Sequence, residues 1–163
     1  MRSPENVFQE INLLHERGVR NIEILDDNFL LNKKRCHLIL DKIIESKMDM
    51  SFRVRSRVSS ADEELWKKMK RAGVYAVSFG MESGSQKMLD KMRKGTKIED
   101  NIRAAALTKK YGMMCFSSWV FGMPGESEDT IRETENHILL KVKPTTISLM
   151  IVLPFPMTPI YYE

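Results

Sequence analysis

The 163-residue sequence predicts an α/β fold in which parallel strands alternate with helices. Three observations predict it. First, short runs of β-branched, aromatic and small residues begin near residues 21, 51, 74, 113 and 146. Second, each is separated from the next by a stretch with helical periodicity, a cap residue at its start and a glycine or proline stop at its end. Such βα units join through right-handed crossovers into a parallel sheet. Third, the chain opens on a helix without a preceding strand, and its last strand runs almost to the end. The units are too few for an eight-unit barrel. The expectation is one domain over residues 1–163, a partial TIM-type (β/α) barrel fragment that lacks its first strand and is truncated on its N-terminal side.

The stretch Val74–Ser85 organises the rest. Val74, Tyr75, Ala76, Val77 and Phe79 suit a strand covered on both faces. Glu82 follows where that strand reaches its C-terminal rim, and Gly84 and Ser85 allow a turn and a helix start. In α/β sheets, ligands bind at the carboxyl ends of strands. A carboxylate there can accept two hydrogen bonds from a diol or an amino group. The competing reading is a Glu that only caps the next helix.

The other elements follow in order. Residues 5–17 read as a helix with Val7, Ile11 and Leu14 on one face and Gly18 as its stop. Asn21–Leu25 is a short strand ending in Asp26 and Asp27. Asn32 caps a helix with Cys36, Ile39, Leu40, Ile43 and Ile44 as its apolar stripe. Ser51–Arg55 is the next strand, and Arg53, Arg55 and Arg57 fall on one face of it. Facing an interior, that row requires anionic partners. Ser60 to Glu63 reads as a capping box, and so does Thr96 to Glu99. A helix runs from the first box to Gly73, another follows the third strand to about Lys94, and the helix opened by the second box closes at Gly112. Met113–Phe121 is an apolar strand interrupted by Ser117 and Ser118, one of which should face inward. Gly122 to Glu126 makes a sharp turn, Ser127 caps a helix, and Pro144 stops it. Thr146–Leu153 is the last strand.

Composition narrows the function classes. Lys and Arg exceed Asp and Glu by 26 to 22, a mild excess without blocks of like charge, so no nucleic-acid partner is expected. No apolar run is long enough to span a membrane, and residues 1–4 contain no apolar signal core. Cys36 and Cys115 are too far apart in sequence for a metal-site spacing and fit a reducing cytoplasm. The 12 Met residues read as core fillers. His15, His37 and His137 lack ligand spacing. Trp66 reads as core, whereas Trp119 is left between core and substrate contact.

Five segments, in order at strand ends, resemble the radical S-adenosylmethionine (SAM) superfamily. They are Arg2–Val7, Leu25–Phe29, Phe79–Ser85, Phe121–Glu126 and Pro154–Pro159. The set is most similar to the branch with an upstream cobalamin-binding domain, the oxidative cyclases of magnesium-protoporphyrin monomethyl ester among them. The resemblance implies a partial (β/α)6 barrel and reductive cleavage of SAM at a [4Fe–4S] cluster, giving a 5′-deoxyadenosyl radical. It implies a small-molecule substrate, with tetrapyrrole cyclisation as one reaction of the branch, and cobalamin as a further cofactor. It places Asp26 and Asp27 at the methionine amino group and Glu82 at the ribose. Ser117, Ser118 and the Phe121–Gly122 turn then approach the ligand, and Arg55 meets the methionine carboxylate. Two departures stand out. The cluster-binding Cys-x3-Cys-x2-Cys is absent, so the segment by itself is expected to be inactive, with no catalytic or metal residue and no bound cofactor. The exit turn carries Met157 where the family usually has Gly.

Two rival readings remain. One is a receiver-like binding domain with Asp26 and Asp27 as a Mg²⁺ pocket. The other is a non-catalytic interaction domain whose rim residues are caps and solvated charges. Without a preceding strand, residues 21–25 would form a bare apolar edge, through which self-association is expected.

Overall fold

Five strands pair in parallel and in sequence order: β1 (Asn21–Ile24), β2 (Ser51–Ser56), β3 (Val74–Glu82), β4 (Met114–Phe121) and β5 (Thr146–Ile151). Helices α1 (Pro4–Glu16), α2 (Lys33–Ser46), α3 (Glu63–Arg71), α4 (Gln86–Lys91), α5 (Ile98–Lys110) and α6 (Glu128–Asn136) precede or join them. The computed structural model describes residues 1–162. Each strand returns beside its predecessor and the order never reverses. A receiver-type sheet needs a reversal at its switch point, so the receiver-like reading is excluded. The partial barrel stands.

Alternation along the strands separates two faces. Phe52, Val54, Val77, Phe79, Met81, Cys115 and Trp119 point to the helices and are almost wholly buried. Trp66 of α3 lies parallel to Phe79 with ring centroids 6.3 Å apart. The other face is concave and polar, with Arg53, Arg55, Ser78, Gly80, Glu82, Phe116 and Ser118 on it. Strand β3 is therefore covered by helices on one face only, not on both, because its alternate positions line an open cavity. Trp119 belongs to the core. Its indole donates to Ser117 Oγ at 2.9 Å and its ring meets His137 edge-on.

Several caps differ from the sequence expectation. The N-cap of α3 is Asp62, whose carboxylate accepts from the Leu65 N–H at 3.1 Å, because Ser60 is taken up in a short 3₁₀ turn. At α5 the Asp100 carboxylate accepts from the Lys97 N–H at 3.0 Å, and Thr96 is buried outside the helix. Helix α4 ends at Lys91 rather than near Lys94, since Arg93 turns into the left-handed region. Ser127 caps α6 as expected, and that helix continues as a π-helical segment, His137–Val142. Met157 adopts φ 73°, the left-handed conformation that favours glycine.

The two sheet edges differ. Among the described residues, β1 pairs only with β2, which leaves its other edge without a partner strand, while Ile22 and Ile24 are half-buried against the core. Every residue of β5 is exposed. No helix of the described residues is long and apolar enough to cross a membrane.

Candidate functional site

A cavity of about 590 Å³ occupies the concave face toward the C-terminal ends of the strands. Its rim carboxylate is Glu82. The β3–β4 register shifts between Gly80 and Glu82, a bulge that re-aims the last residue of the strand. Glu82 itself sits at φ 65°, in the left-handed region that costs a non-glycine residue energy. Its carboxylate pairs with Lys94 Nζ at 2.7 Å, and the two side chains are only 19% and 24% exposed. Gly80 makes room for the pair, because a Cβ there would meet Glu82 Oε1 and lie 3.2 Å from Lys94 Nζ.

The turn behind Glu82 is pinned from a distance. Thr134 Oγ1 of α6 accepts from the Gly84 N–H at 3.1 Å and shares a hydrogen bond with Ser83 Oγ at 3.1 Å. Asn101 Nδ2 of α5 donates to the Ser83 carbonyl at 3.3 Å. Gly84 packs so closely on α6 that a Cβ would meet His137 Cβ and lie 2.8 Å from Thr134 Cα. Burial and the nearby Lys141 ammonium lower the His137 pKa, burial being the larger cause, while Glu99 acts the other way. Four buried polar atoms near this turn and along α4 to α6 have no partner among the described residues: Ser85 Oγ, Thr96 Oγ1, Asn101 Oδ1 and His137 Nε2.

The remaining sequence candidates divide. Asp27 lines the cavity, but Asp26 does not, and both are exposed on the loop after β1. Arg55 faces the cavity, where its guanidinium donates to Glu23 Oε1 at 3.1 and 3.2 Å. Ser118 lies on the concave face and donates to the Phe79 carbonyl at 3.3 Å. Ser117 also borders the cavity but is only 3% exposed, and its hydroxyl donates to the Thr146 carbonyl. Gly122 is not part of the cavity wall. Its N–H donates to Glu126 Oε2 at 2.6 Å, and its φ of 82° makes the turn. Sequence reasoning missed Lys94, which sits in a basic loop with no periodicity to mark it. It also missed Thr134, which reads as an ordinary helix residue.

The cavity suits the ligand that the motifs imply. A carboxylate at a rim with hydroxyls and cations below it can hold a molecule carrying a diol and a carboxylate. The residues present do not fit an iron–sulfur cluster. Cys36 and Cys115 are buried on separate elements, and burial pushes their thiols up to about 11 and about 12. No group of three His, Cys, Asp or Glu side chains among the described residues is placed to hold a metal ion.

The family profile described as the radical SAM superfamily matches residues 1–138. An uncharacterized methyltransferase of Pyrococcus horikoshii is 38% identical over 133 residues, 81% of this chain and 29% of that protein. The anaerobic magnesium-protoporphyrin IX monomethyl ester cyclase of Cereibacter sphaeroides is 26% identical over 168 residues, spanning 100% of this chain and 27% of the cyclase. This chain thus spans under a third of the length of both relatives. Among solved structures, the radical SAM methyltransferase TsrM from Kitasatospora setae, with cobalamin and a [4Fe–4S] cluster bound, superposes with a TM-score of 0.87 at 23% identity. The match covers 98% of this chain and 31% of TsrM. A sheet in barrel order, a carboxylate at the rim of β3 and the profile match over residues 1–138 lead to one assignment: this chain belongs to the radical SAM superfamily.

Proposed function

We propose that the chain forms the SAM-binding wall of a radical SAM catalytic core, and that the full-length protein cleaves SAM reductively to begin chemistry on a small molecule. The observation that carries this reading is Glu82, held by a bulge, an ion pair and a pinned turn at the mouth of the cavity. Glu82 accepts the two ribose hydroxyls, because an ionised carboxylate has acceptor capacity for both and no donor to compete. Asp27, on the neighbouring loop, takes the cationic methionine amino group. Arg55 and Lys94 supply positive charge for the methionine carboxylate. Ser118 offers a hydroxyl from the cavity wall. Bound SAM supplies a sulfonium whose C–S bond opens on one-electron reduction. The cluster delivering that electron has to be held by groups other than Cys36 and Cys115.

Methyl transfer is supported by the relative at 38% identity, and oxidative cyclisation of a tetrapyrrole by the cyclase aligned along the whole chain. Cobalamin is a cofactor of the first reading through the likeness to TsrM. Anaerobic reconstitution of the full-length protein tests the core reading, with 5′-deoxyadenosine and S-adenosylhomocysteine as measured products. 5′-Deoxyadenosine formed in the presence of a reductant supports radical cleavage. Release of S-adenosylhomocysteine with a methylated product supports methyl transfer. A reconstituted protein that forms neither refutes the reading.

A further inference from the structure

We infer that Arg53 is a preformed oxoanion site that anchors an anionic group of the substrate. The inference rests on the SAM-binding reading of the same cavity.

Arg53 is the inner member of the arginine row. It projects from β2 onto the concave face, where its guanidinium carbon sits 4.2 Å from the centre of the Phe116 ring. Its Nε–H donates to Ser78 Oγ at 2.9 Å. These two contacts fix the plane and the direction of the fork, so less motion has to be frozen when a ligand binds. Neither terminal nitrogen of Arg53 has a hydrogen-bond partner among the described residues. The Glu23 carboxylate lies 3.8 Å from Arg53 Nε but only 3.1 Å from Arg55, and so serves Arg55 first. The Arg53 side chain is 29% exposed, and the cavity is its opening.

The charge balance points the same way. Four cations, Arg53, Arg55, Arg57 and Lys94, line the cavity against the carboxylates of Asp27 and Glu82. Glu23 and Glu82 engage Arg55 and Lys94, and Arg57 donates to the Lys94 carbonyl at 2.6 Å. Arg53 is left with its outer edge unpaired. A planar fork with two parallel donors matches a carboxylate, phosphate or phosphonate.

Position separates this site from Glu82 at the ribose end of SAM, whereas Arg55 lies beside it, the two arginines sharing Glu23 Oε1. Arg53 bonds Ser78, which lies four residues before Glu82 along β3. At the rise of a strand that is about 13 Å, somewhat less across the bulge. An anion on Arg53 therefore lies deep in the cavity, while the reacting part of the same molecule reaches up toward the rim. The substrate class is a small molecule with a carboxylate or phosphoryl group remote from its reacting carbon.

The test uses the full-length, anaerobically reconstituted protein saturated with SAM, with propionate and inorganic phosphate as probes in calorimetry. One of the two anions is expected to bind the wild type with a Kd of about 1–10 mM, the range of one charged contact. Arg53→Gln is expected to weaken that binding about tenfold or more, and Arg53→Lys to restore only part of it, because a point charge replaces a fork. The Kd for SAM is expected to stay within about twofold in both, since Arg55 keeps its own hydrogen bonds to Glu23 and remains in place for the methionine carboxylate. Phe116→Leu keeps the charge and removes the platform, so it should weaken the anion and leave SAM unchanged; it decides the matter if Arg53→Gln does not fold. Anion binding unchanged in Arg53→Gln overturns the inference, as does absence of binding to the wild type. A parallel loss of SAM affinity also overturns it, by assigning Arg53 to SAM. A wild type that binds the anion but not SAM refutes the SAM reading alone.

Discussion

Glu82 and the Asp26–Asp27 pair look alike in sequence, as acids at the ends of strands, yet the fold treats them differently. Glu82 is at φ 65° after a bulge, paired with Lys94, with the turn behind it tied to α6. Asp26 and Asp27 stand exposed on the loop after β1, and only Asp27 reaches the cavity wall. The difference teaches where the site's rigidity is stored. Strained backbone persists only where its surroundings over-determine it, and here two helices and a lysine do so for Glu82. The aspartates receive no such support.

The largest expected effect comes from breaking the support behind Glu82. Gly84→Ala pushes a methyl into the backbone of α6 at Thr134 and into His137 Cβ, neither of which can swing away. Overpacking of this kind costs about 1–3 kcal/mol. We expect a lower denaturation midpoint together with loss of SAM binding in the full-length protein. Gly122→Ala is the control. Its nearest neighbours are 3.5 Å away, so only the cost of a positive φ remains, about 1 kcal/mol, and SAM affinity should hold.

Removing the carboxylate itself comes next. Glu82→Ala should weaken SAM binding by about 1–3 kcal/mol, the cost of partly buried polar groups left unpaired. Folding should lose some stability as well, since the largely buried Lys94 ammonium is left without its carboxylate. SAM affinity at the wild-type level in calorimetry would remove Glu82 from the ribose.

A smaller effect follows from pH. Burial lowers the His137 pKa below the usual 6.5, helped by Lys141 and opposed by Glu99. The unfolded chain then binds the proton more readily than the folded one. The neutral ring costs nothing above the unfolded pKa, and stability falls as pH drops through about 6.5 and below. Since His137 packs on Gly84, the same acidification should loosen the turn behind Glu82. Urea denaturation of the wild type and His137→Gln between pH 5 and 8 checks it. The variant's stability curve should be flatter on the acid side, and equal slopes would count against this role.

Much of this fold is legible because strand and helix periods differ and because caps and glycines punctuate them. The five strands begin where the runs at 21, 51, 74, 113 and 146 place them, within a residue. Caps were harder to read: Ser60 and Asp62 are both good N-cap residues, and only the 3₁₀ turn at Val58–Ser60 decides between them. In the site, Glu82 is legible because a rim position follows from the length of its strand. Lys94 is not, because its contact with Glu82 crosses 12 residues of loop and short helix. Ser117 and Ser118 alternate along β4 and both border the cavity, and only the register with β3 and β5 shows which hydroxyl is tied into the sheet core. Arg53 and Arg55 share a face in sequence as in structure, but their different partners, Phe116 with Ser78 and Glu23, come from strands far apart in the chain.

The smallest effect tests the other half of the contrast. Asp26→Asn and Asp27→Asn leave size and loop conformation nearly unchanged and remove only charge. Both side chains are exposed, so stability should move by less than about 0.5 kcal/mol in either variant. Asp27 borders the cavity. Its loss should weaken SAM by less than the loss of Glu82, because water screens an exposed pair and holding an exposed side chain in one geometry costs entropy. An exposed pair contributes about 0.2–1 kcal/mol, which calorimetry on the full-length protein can resolve as a change of about fivefold or less. Asp26 lies outside the cavity wall, and Asp26→Asn should leave SAM affinity unchanged. If Asp26→Asn weakens SAM more than Asp27→Asn does, the loop after β1 rearranges on binding and brings the other carboxylate inward. The contrast with Glu82 would then sharpen: one acid fixed by the fold before the ligand arrives, the other chosen by the ligand.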